Sequence, residues 1–355
     1  MNNNELLPRL PLTTETGDFT IIKSRVSKPW TVFRVWSVII SLEAKNKAAT
    51  LKAVNKSKWK SLEQFEKWVR TAVEDELIQT RGGILAIRRK KWFRNQNEWY
   101  CFRCFNPGKK MFKCSGCVRV YHEKCLCPST ERKKCFYCED RIQSVIRKKK
   151  LEKKDISEVL HLILQNVKSK FGSIVEKSEL KNENELLVKH LSKLLCHPRF
   201  NFSNVEGKIE SNKYKSLFEF ERDCRNIQYN LCVLYGPRSH IGVQSRKLCE
   251  FVTGEIESVD YCAECFVRKN QKLNVNWFLE ACDPPHKLCF VKNGKSSPLL
   301  AKILKQEEMN ERYVISLFDE NHTIVTVSYK SLILSSPNKI DSLIGLNKFS
   351  EMHNL

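Results

Sequence analysis

The chain has 355 residues, of which 41% are hydrophobic, and its formal net charge at neutral pH is +22. This hydrophobic content excludes wholesale disorder, and no apolar run approaches the roughly 18 residues that a membrane-spanning helix needs. The first 30 residues lack the apolar core of a signal peptide. We therefore expect an intracellular protein whose sixteen cysteines serve metal binding rather than disulfides.

The segment from Trp30 to Glu98 predicts three helices and a hairpin. TVFRVWSVIISLEA is apolar enough for a buried helix, AATLKAVNK suggests a short one, and SLEQFEKWVRTAVEDELI is amphipathic behind the capping spacing of Ser61 and Gln64. RGG then predicts a turn, and ILAIRRKKWF predicts a returning strand. This is the outline of a winged helix, and a plain protein-binding bundle fits the same pattern.

A winged helix would contact DNA through basic residues before its third helix and on its wing. The candidates are Lys56, Lys58, Lys60, Arg88, Arg89, Lys90 and Lys91. From Arg81 to Lys154 the sequence holds 22 basic residues against 6 acidic ones. The formal net charge of this segment, +16 from these residues, falls to about +13 when the negative charge of two zinc–thiolate sites is included. Such a field favours nucleic acid as the partner, although RKKKLEKK also fits a solvated linker or a nuclear-import signal.

Cysteines and one histidine recur between Cys101 and Cys138 in the order C-x2-C-x9-C-x2-C-x4-H-x2-C-x9-C-x2-C. Pairs two residues apart suit tetrahedral zinc, and eight ligands indicate two ions. The order resembles the PHD finger, whose ligands interleave. That resemblance implies one zinc on Cys101, Cys104, His122 and Cys125, and another on Cys114, Cys117, Cys135 and Cys138. The RING finger of ubiquitin ligases is the nearest rival, but it requires histidine as the fourth ligand and cysteine as the fifth.

The rest of the chain predicts a helical bundle, a third metal site and a sheet. Helical periodicity is visible in DISEVLHLILQNVKSKF, ELLVKHLSKLL, SLFEFERDCRNIQYNLCVLYG and SRKLCEFVTGEIESV. A third zinc is expected on Cys262, Cys265, Cys282 and His286; the alternative is a buried cysteine pair near a surface histidine. Beyond Cys289 the sequence predicts short strands that form a small β-barrel or curled sheet.

WYCFRC, CVRVYHEKCL and the helices that follow resemble the PHD, bromodomain and PWWP tandem of the zinc finger MYND domain-containing protein 11 family. Members of that family are nuclear chromatin readers and transcriptional corepressors. The resemblance covers most of residues 30–335 and places the third zinc just before a PWWP-like barrel. No cysteine follows Cys289, so we do not expect the MYND finger of that family here.

Departures from the family change the expected histone contacts. Bromodomains hold acetyl-lysine through an asparagine after a tyrosine, whereas here Tyr235 is followed by Gly236, which implies a degenerate acetyl-lysine pocket. PWWP domains cage methyl-lysine with aromatic rings, and here Phe290 and Phe318 could supply two walls. The PHD-like finger lacks acidic residues between its first ligand pairs, so its basic face should repel a basic histone tail.

The predicted fold class is multidomain α+β. Its parts are a tail (1–28), a winged-helix-like domain (29–98), a PHD-type zinc finger (99–140), a four-helix bromodomain-like bundle (141–259), a small zinc finger (260–286), a PWWP-like β-barrel (287–337) and a second tail (338–355). We expect a non-enzymatic nuclear chromatin reader or scaffold of corepressor type, with three zinc ions. Its expected partners are DNA or nucleosomes, histone tails and transcriptional cofactors, with no membrane. A nuclear protein–protein adaptor is the main alternative, and a RING-type ubiquitin ligase is a further one.

Overall fold

The computed structural model describes residues 24–55, 61–88, 97–126, 134–138, 153–271, 277–278, 280–293, 296–307, 311–319 and 322–333. The chain forms two compact units. The first contains Met1–Phe136 and Asn184–Pro198, and the second contains Tyr137–Glu183 and Arg199–Leu355. None of the described helices is long and apolar enough to cross a membrane. The predicted DNA-contacting residues Lys56, Lys58, Lys60, Arg89, Lys90 and Lys91 lie outside the described residues.

The first unit begins with three helices and a hairpin, in the predicted order. These elements are α1 (Pro29–Glu43), α2 (Leu51–Asn55), α3 (Leu62–Glu74), β1 (Ile78–Arg81) and β2 (Ile84–Ile87). The Ser61 hydroxyl caps α3 by accepting a hydrogen bond from the Gln64 amide at 3.4 Å. Gly82 and Gly83 have φ of 55° and 76°. Glycine adopts these left-handed values without a Cβ clash, so the tight turn between β1 and β2 forms here.

An indole at the centre of the helices fixes the hairpin against them. Trp36 of α1 is fully buried, and its Nε1–H donates to the Leu77 carbonyl at 3.1 Å. That bond satisfies the polar end of the largest side chain in this core. Phe65 of α3 and Ile78 of β1 are buried as well. Most of the apolar face that periodicity predicts for α3 therefore packs, at Phe65, Val69 and Ala72, whereas Leu62 at its start is 41% exposed.

Residues 184–198 lie between two segments of the bundle in the sequence, but they pack within the first unit. They form α5 (Glu185–His190) and a 3₁₀ turn at Leu191–Lys193. The His190 ring lies 5.9 Å from the Trp36 ring, and the Cys196 amide donates to Glu98 Oε1 at 3.0 Å. ELLVKHLSKLL was predicted to be one helix of the bundle. It is instead a shorter helix followed by a 3₁₀ turn, and both belong to the first unit.

A buried arginine joins the start of the described chain to this segment. The Arg25 guanidinium is 1% exposed, donates to the Lys193 carbonyl and lies 4.0 Å from the centre of the Trp99 ring. The Asp75 carboxylate accepts the Ser27 amide at 2.7 Å. These contacts bring four stretches that are distant in sequence into one packed region.

The second unit contains the helices of the bundle. They are α4 (Lys153–Ser178), α6 (Phe202–Glu210), α7 (Leu217–Tyr235), α8 (His240–Tyr261) and α9 (Ala263–Gln271). Phe171 has φ of −128°, so α4 changes direction there. The apolar stripe that periodicity predicts for α4 is buried in the core, at Ile156, Val159, Leu160, Ile163, Leu164, Val167 and Phe171.

A five-stranded antiparallel sheet completes the second unit. Its strands are β5 (Leu288–Asn293), β6 (Ser296–Glu307), β7 (Arg312–Leu317), β8 (Ile324–Ser328) and β9 (Leu332–Ile333), in the order β8-β7-β6-β5-β9. The short strands predicted beyond Cys289 are confirmed. The buried cluster on this sheet consists of few side chains: Cys289, Val291, Ala301, Ile315 and Leu332.

We predict that Lys193→Met removes a pH-dependent part of the first unit's stability. Lys193 is 8% exposed, and burial, together with the nearby Arg25 and Arg88, lowers its pKa to about 8. The unfolded chain, with a lysine pKa of about 10.4, therefore binds more protons between these values. The wild type should gain stability relative to the variant as the pH rises from 8 to 10, measured by denaturant unfolding.

The exposed Lys47 of the same unit provides the matched control. Lys47→Met should differ from the wild type by the same amount at both pH values. A constant difference between the wild type and Lys193→Met would contradict the assigned effect of burial.

Candidate metal centres

The first candidate metal centre brings together Cys101, Cys104, His122 and Cys125, whose ligand atoms all lie within 4.8 Å of one another. His122 Nδ1 is 3.3 Å from the Cys104 sulfur and 3.9 Å from the Cys125 sulfur. Tetrahedral zinc, with bonds of about 2.3 Å to sulfur and about 2.0 Å to nitrogen, separates these ligands by about 3.5 Å. The four side chains therefore fit a zinc ion.

The His122 ring is oriented by the loop before β3 (Phe112–Lys113). Its Nε2 lies 3.1 Å from the Pro107 carbonyl, so Nε2–H donates there and Nδ1 is left for the metal. A Cβ on Gly108 would lie 2.5 Å from His122 Nε2, so only glycine lets this loop approach the ring. β4 (Val120–Tyr121) ends immediately before the histidine and sets its position.

The second centre contains Cys114, Cys117, Cys135 and Cys138, again within 4.8 Å of one another. The sulfurs of Cys117 and Cys135 are 3.6 Å apart, close to the spacing of about 3.8 Å on tetrahedral zinc. The amides of Gly116 and Cys135 donate to the Cys114 sulfur at 3.3 and 3.2 Å. Such bonds favour the thiolate that a metal requires.

A buried arginine accompanies this four-cysteine site. Arg119 is 3% exposed; its guanidinium donates to the Cys117 sulfur at 3.8 Å and lies 4.4 Å from the centre of the Phe102 ring. Zinc with four thiolates carries a charge of −2. A guanidinium beside it therefore reduces the cost of burying that charge.

The third centre, Cys262, Cys265, Cys282 and His286, joins the bundle to the sheet within the second unit. The sulfurs of Cys265 and Cys282 are 3.4 Å apart. His286 Nδ1 lies 3.1 Å from the Ile303 carbonyl on β6. His286 Nε2 is buried and has no hydrogen-bond partner among the residues that the structure describes. A zinc ion would occupy that lone pair, so the donor set fits the metal.

Two cations lie against the third centre. Arg268 of α9 donates to the Cys282 sulfur at 3.7 Å and forms ion pairs with Glu264 and Glu280 at 3.0 and 3.3 Å. Lys302 of β6 lies 3.9 Å from the Cys265 sulfur. These contacts link a helix and a strand through the ligands, so a bound zinc would stabilise their packing.

The thiols of the third centre have unequal proton affinities in the absence of metal. Hydrogen bonds from the thiol and amide of Cys265 lower the pKa of Cys262 to about 4, against the opposing effect of burial. The hydrogen bond to Cys262, with burial, raises the pKa of Cys265. Of this pair, Cys262 is therefore the thiol that ionises first. Zinc binding would release protons from the other cysteines.

Arg88, the described member of the predicted DNA-contacting set, already has an anionic partner. Its guanidinium pairs with Glu76 at 2.8 Å, and its side chain is 24% exposed. Its carbonyl also accepts a hydrogen bond from Lys193. These contacts give Arg88 a structural function in the first unit, and phosphate binding by this residue stays a prediction.

The end of α7, where the acetyl-lysine pocket was expected, is filled by internal polar contacts. The Tyr235 hydroxyl donates to Glu183 Oε1 at 2.6 Å, and Lys177 pairs with the same carboxylate at 2.6 Å. The Lys177 ammonium also lies 4.9 Å from the centre of the Tyr235 ring. Gly236 caps the helix with φ of 95°, a backbone angle that favours glycine.

The two aromatic residues of the predicted methyl-lysine pocket lie on different elements. Phe290 is on β5, opposite Leu300 and Ile333. Phe318 follows β7 and is surrounded by rings, with Phe278 at 4.9 Å and His322 at 5.7 Å. Whether Phe290 and Phe318 form two walls of one pocket stays a prediction.

Sequence reasoning missed the ring cluster around Phe318 and the ionic partners of the sulfurs. Trp277 lies 4.4 Å from the His322 ring, and Phe278 stacks on His322 at 5.2 Å. The signal available was NWFLEAC, in which two aromatic residues stand five and four positions before a predicted ligand. Arg119 gave no comparable signal, because its burial depends on the fold.

Three clusters that can each hold a zinc ion, on a frame of helices and sheets, are the features of a zinc-finger protein. No protein-family model matches the chain. A curated relative, the MYND-type zinc finger-containing chromatin reader Zmynd8 of Drosophila melanogaster, is 25% identical over 199 residues. The alignment covers 54% of this chain and 12% of that relative, so the chain matches about an eighth of the relative's length.

We predict that the purified chain contains three zinc ions and that Cys282→Ser contains two. The serine removes one of four ligands from the third centre, while the first and second centres share no residue with it. Elemental analysis against protein concentration measures the ratio. Cys127→Ser, at a cysteine outside the three ligand sets, is the matched control and should retain three ions. Two ions in the wild type, or three in Cys282→Ser, would contradict this assignment.

Proposed function

We propose that this protein is a nuclear, chromatin-associated scaffold of corepressor type that binds nucleosomes through basic surfaces. The observation that carries the proposal is the combination of three zinc-binding clusters with partial similarity to a chromatin reader. The charge distribution supports it, because the 74 residues from Arg81 to Lys154 contribute most of the net positive charge. Binding, rather than catalysis, is the activity that we propose.

Nucleosomal DNA is the partner that this charge favours. Each phosphate neutralised by a lysine or arginine releases condensed counterions, so affinity falls steeply as salt is added. The cationic side chains need no particular base sequence for this. We therefore expect binding with little sequence preference, in which DNA supplies most of the affinity and histone contacts add little.

The geometry at the histone-mark positions supports a scaffold rather than a reader of acetyl-lysine. Tyr235 already donates its hydroxyl to Glu183, and Gly236 has no side-chain amide for an acetyl oxygen. The Lys177 ammonium lies against the Tyr235 ring. The polar groups at this end of the bundle are thus satisfied from within the chain, and an acetylated peptide would have to displace them.

We predict that the chain binds nucleosomes about a thousandfold more weakly at 200 mM than at 50 mM salt, if about six phosphates are contacted. The variant Arg89→Ala, Lys90→Ala, Lys91→Ala should reduce that ratio by about 40-fold, because three contacts are lost. Arg88 is left unchanged because its ion pair with Glu76 is structural. Binding is measured by fluorescence anisotropy on labelled nucleosomes and on free duplex DNA.

The control for this triple variant removes three exposed lysines from the bundle, Lys213, Lys215 and Lys247, each replaced by alanine. The two variants lose the same positive charge, so any difference between their DNA affinities depends on where the removed side chains lie. Salt-independent binding of the wild type would contradict the proposed function and favour a protein–protein adaptor.

We further predict that acetylated and unmodified histone tail peptides bind the chain equally weakly. The physical reason is the missing amide at Gly236 and the internal bonding of Tyr235. Calorimetric titration with both peptides measures the difference. Micromolar binding confined to the acetylated peptide would restore the reader function of the bundle.

A further inference from the structure

In the described part of the zinc finger that contains the first two metal centres, the exposed charged side chains are almost all cationic. Among residues 97–126 and 134–138, the exposed acidic side chain is Glu123, while Glu98 is buried. The exposed basic side chains in the same ranges are Arg103, Lys109, Lys110, Lys113, Lys124 and Lys134. A field of one sign on so small a domain selects for a polyanion and against a basic peptide.

Three of these lysines are mounted on the loop and strand that also hold the first metal centre. Lys109 and Lys110 directly follow Gly108, whose close packing on His122 leaves no room for a Cβ. Lys113 lies on β3, opposite Val120 of β4. Because Nε2 of His122 is bonded to the Pro107 carbonyl, the loop cannot move without moving a zinc ligand.

Part of the negative charge of the finger's metal centres is compensated inside the finger. The thiolates of the second centre have Arg119, buried at 3% exposure, as a neighbour. The backbone amides of Gly116 and Cys135 also donate to the Cys114 sulfur. The outer lysines are therefore available to an external anion.

We propose that Lys109, Lys110 and Lys113 form a surface that contacts the phosphate backbone of duplex DNA, and that the first zinc holds this surface in shape. The inference rests on the proposed function and assigns a second DNA-binding region, separate from residues 89–91. It makes the finger a DNA-contacting element and not a histone-tail reader.

Zinc removal separates a placed surface from a diffuse effect of charge. Zinc removal takes away the ion that would hold His122 and the three cysteines together, and it leaves every lysine of the surface in place. A diffuse attraction would therefore persist, but a surface held by His122 and Gly108 would lose its geometry and bind DNA more weakly.

The experiment compares three full-length variants on a duplex DNA of fixed length. Replacing Lys109, Lys110 and Lys113 with glutamine should reduce the ratio of affinities at about 50 and 200 mM salt by about 40-fold, because three contacts are lost. Replacing the same lysines with arginine keeps the charge and should retain wild-type binding. Replacing Lys213, Lys215 and Lys247 with glutamine removes equal charge from the bundle and should have little effect.

The zinc content of each variant is measured first, and three ions show that the finger is folded. Wild-type salt-dependent binding by the finger glutamine variant would overturn this inference while leaving the proposed function intact. Failure of the wild type to bind DNA at all would instead remove the proposed function. Binding to duplex RNA is tested in parallel. If the finger glutamine variant loses affinity for duplex RNA but not for duplex DNA, the assignment to DNA is overturned as well.

Chelation provides the last comparison. Stripping zinc from the wild type should weaken DNA binding, and adding zinc back should restore it. An affinity that does not fall on chelation would show that only net charge matters, and would overturn the proposed placed surface.

Discussion

Metal ligation by thiolates is the interaction on which the zinc finger and the five-stranded sheet of this molecule depend. The finger is too short to bury a sizeable apolar core, and the sheet has a buried cluster of five small or medium-sized side chains. Domains of this size commonly need a metal to fold, and the free energy of zinc binding then becomes folding free energy. The third centre stabilises the second unit in the same way, because its ligands come from the start of α9 and from the segment before β5, and His286 is hydrogen-bonded to β6.

Each described thiolate-rich centre brings negative charge into the protein, and two of them have cations within reach of a sulfur. Arg119 lies beside the second centre, and Arg268 and Lys302 lie beside the third. Arg119 and Lys302 are buried, and Arg268 is held by two carboxylates, so these cations are less available to an external anion. Counting basic residues in the sequence therefore overstates the charge that an external polyanion can reach, whereas the described lysines on the finger are exposed.

Local patterns in the sequence predicted local structure well. Ligand spacing identified the three clusters, the Ser61 cap began α3, and the RGG turn separated β1 from β2. Contacts between distant residues could not be read in this way. Residues 184–198 have helical periodicity, but nothing in their pattern shows that they pack on Trp36 and Glu98. Likewise, Arg88 belongs to a basic run, and its pairing with Glu76 arises only when β2 folds back beside the end of α3.

The positions that resemble histone-mark pockets differ from the metal centres in one physical respect. At the metal centres, three or four cysteine sulfurs converge within 4.8 Å of one another, and thiolates at that spacing repel one another unless a cation lies between them. At the end of α7, Tyr235, Glu183 and Lys177 satisfy one another. Converging groups that satisfy one another stabilise the fold, whereas converging groups that do not satisfy one another indicate a ligand. By this criterion the metal centres are binding sites, and the polar groups at the end of α7 stabilise the fold of the bundle.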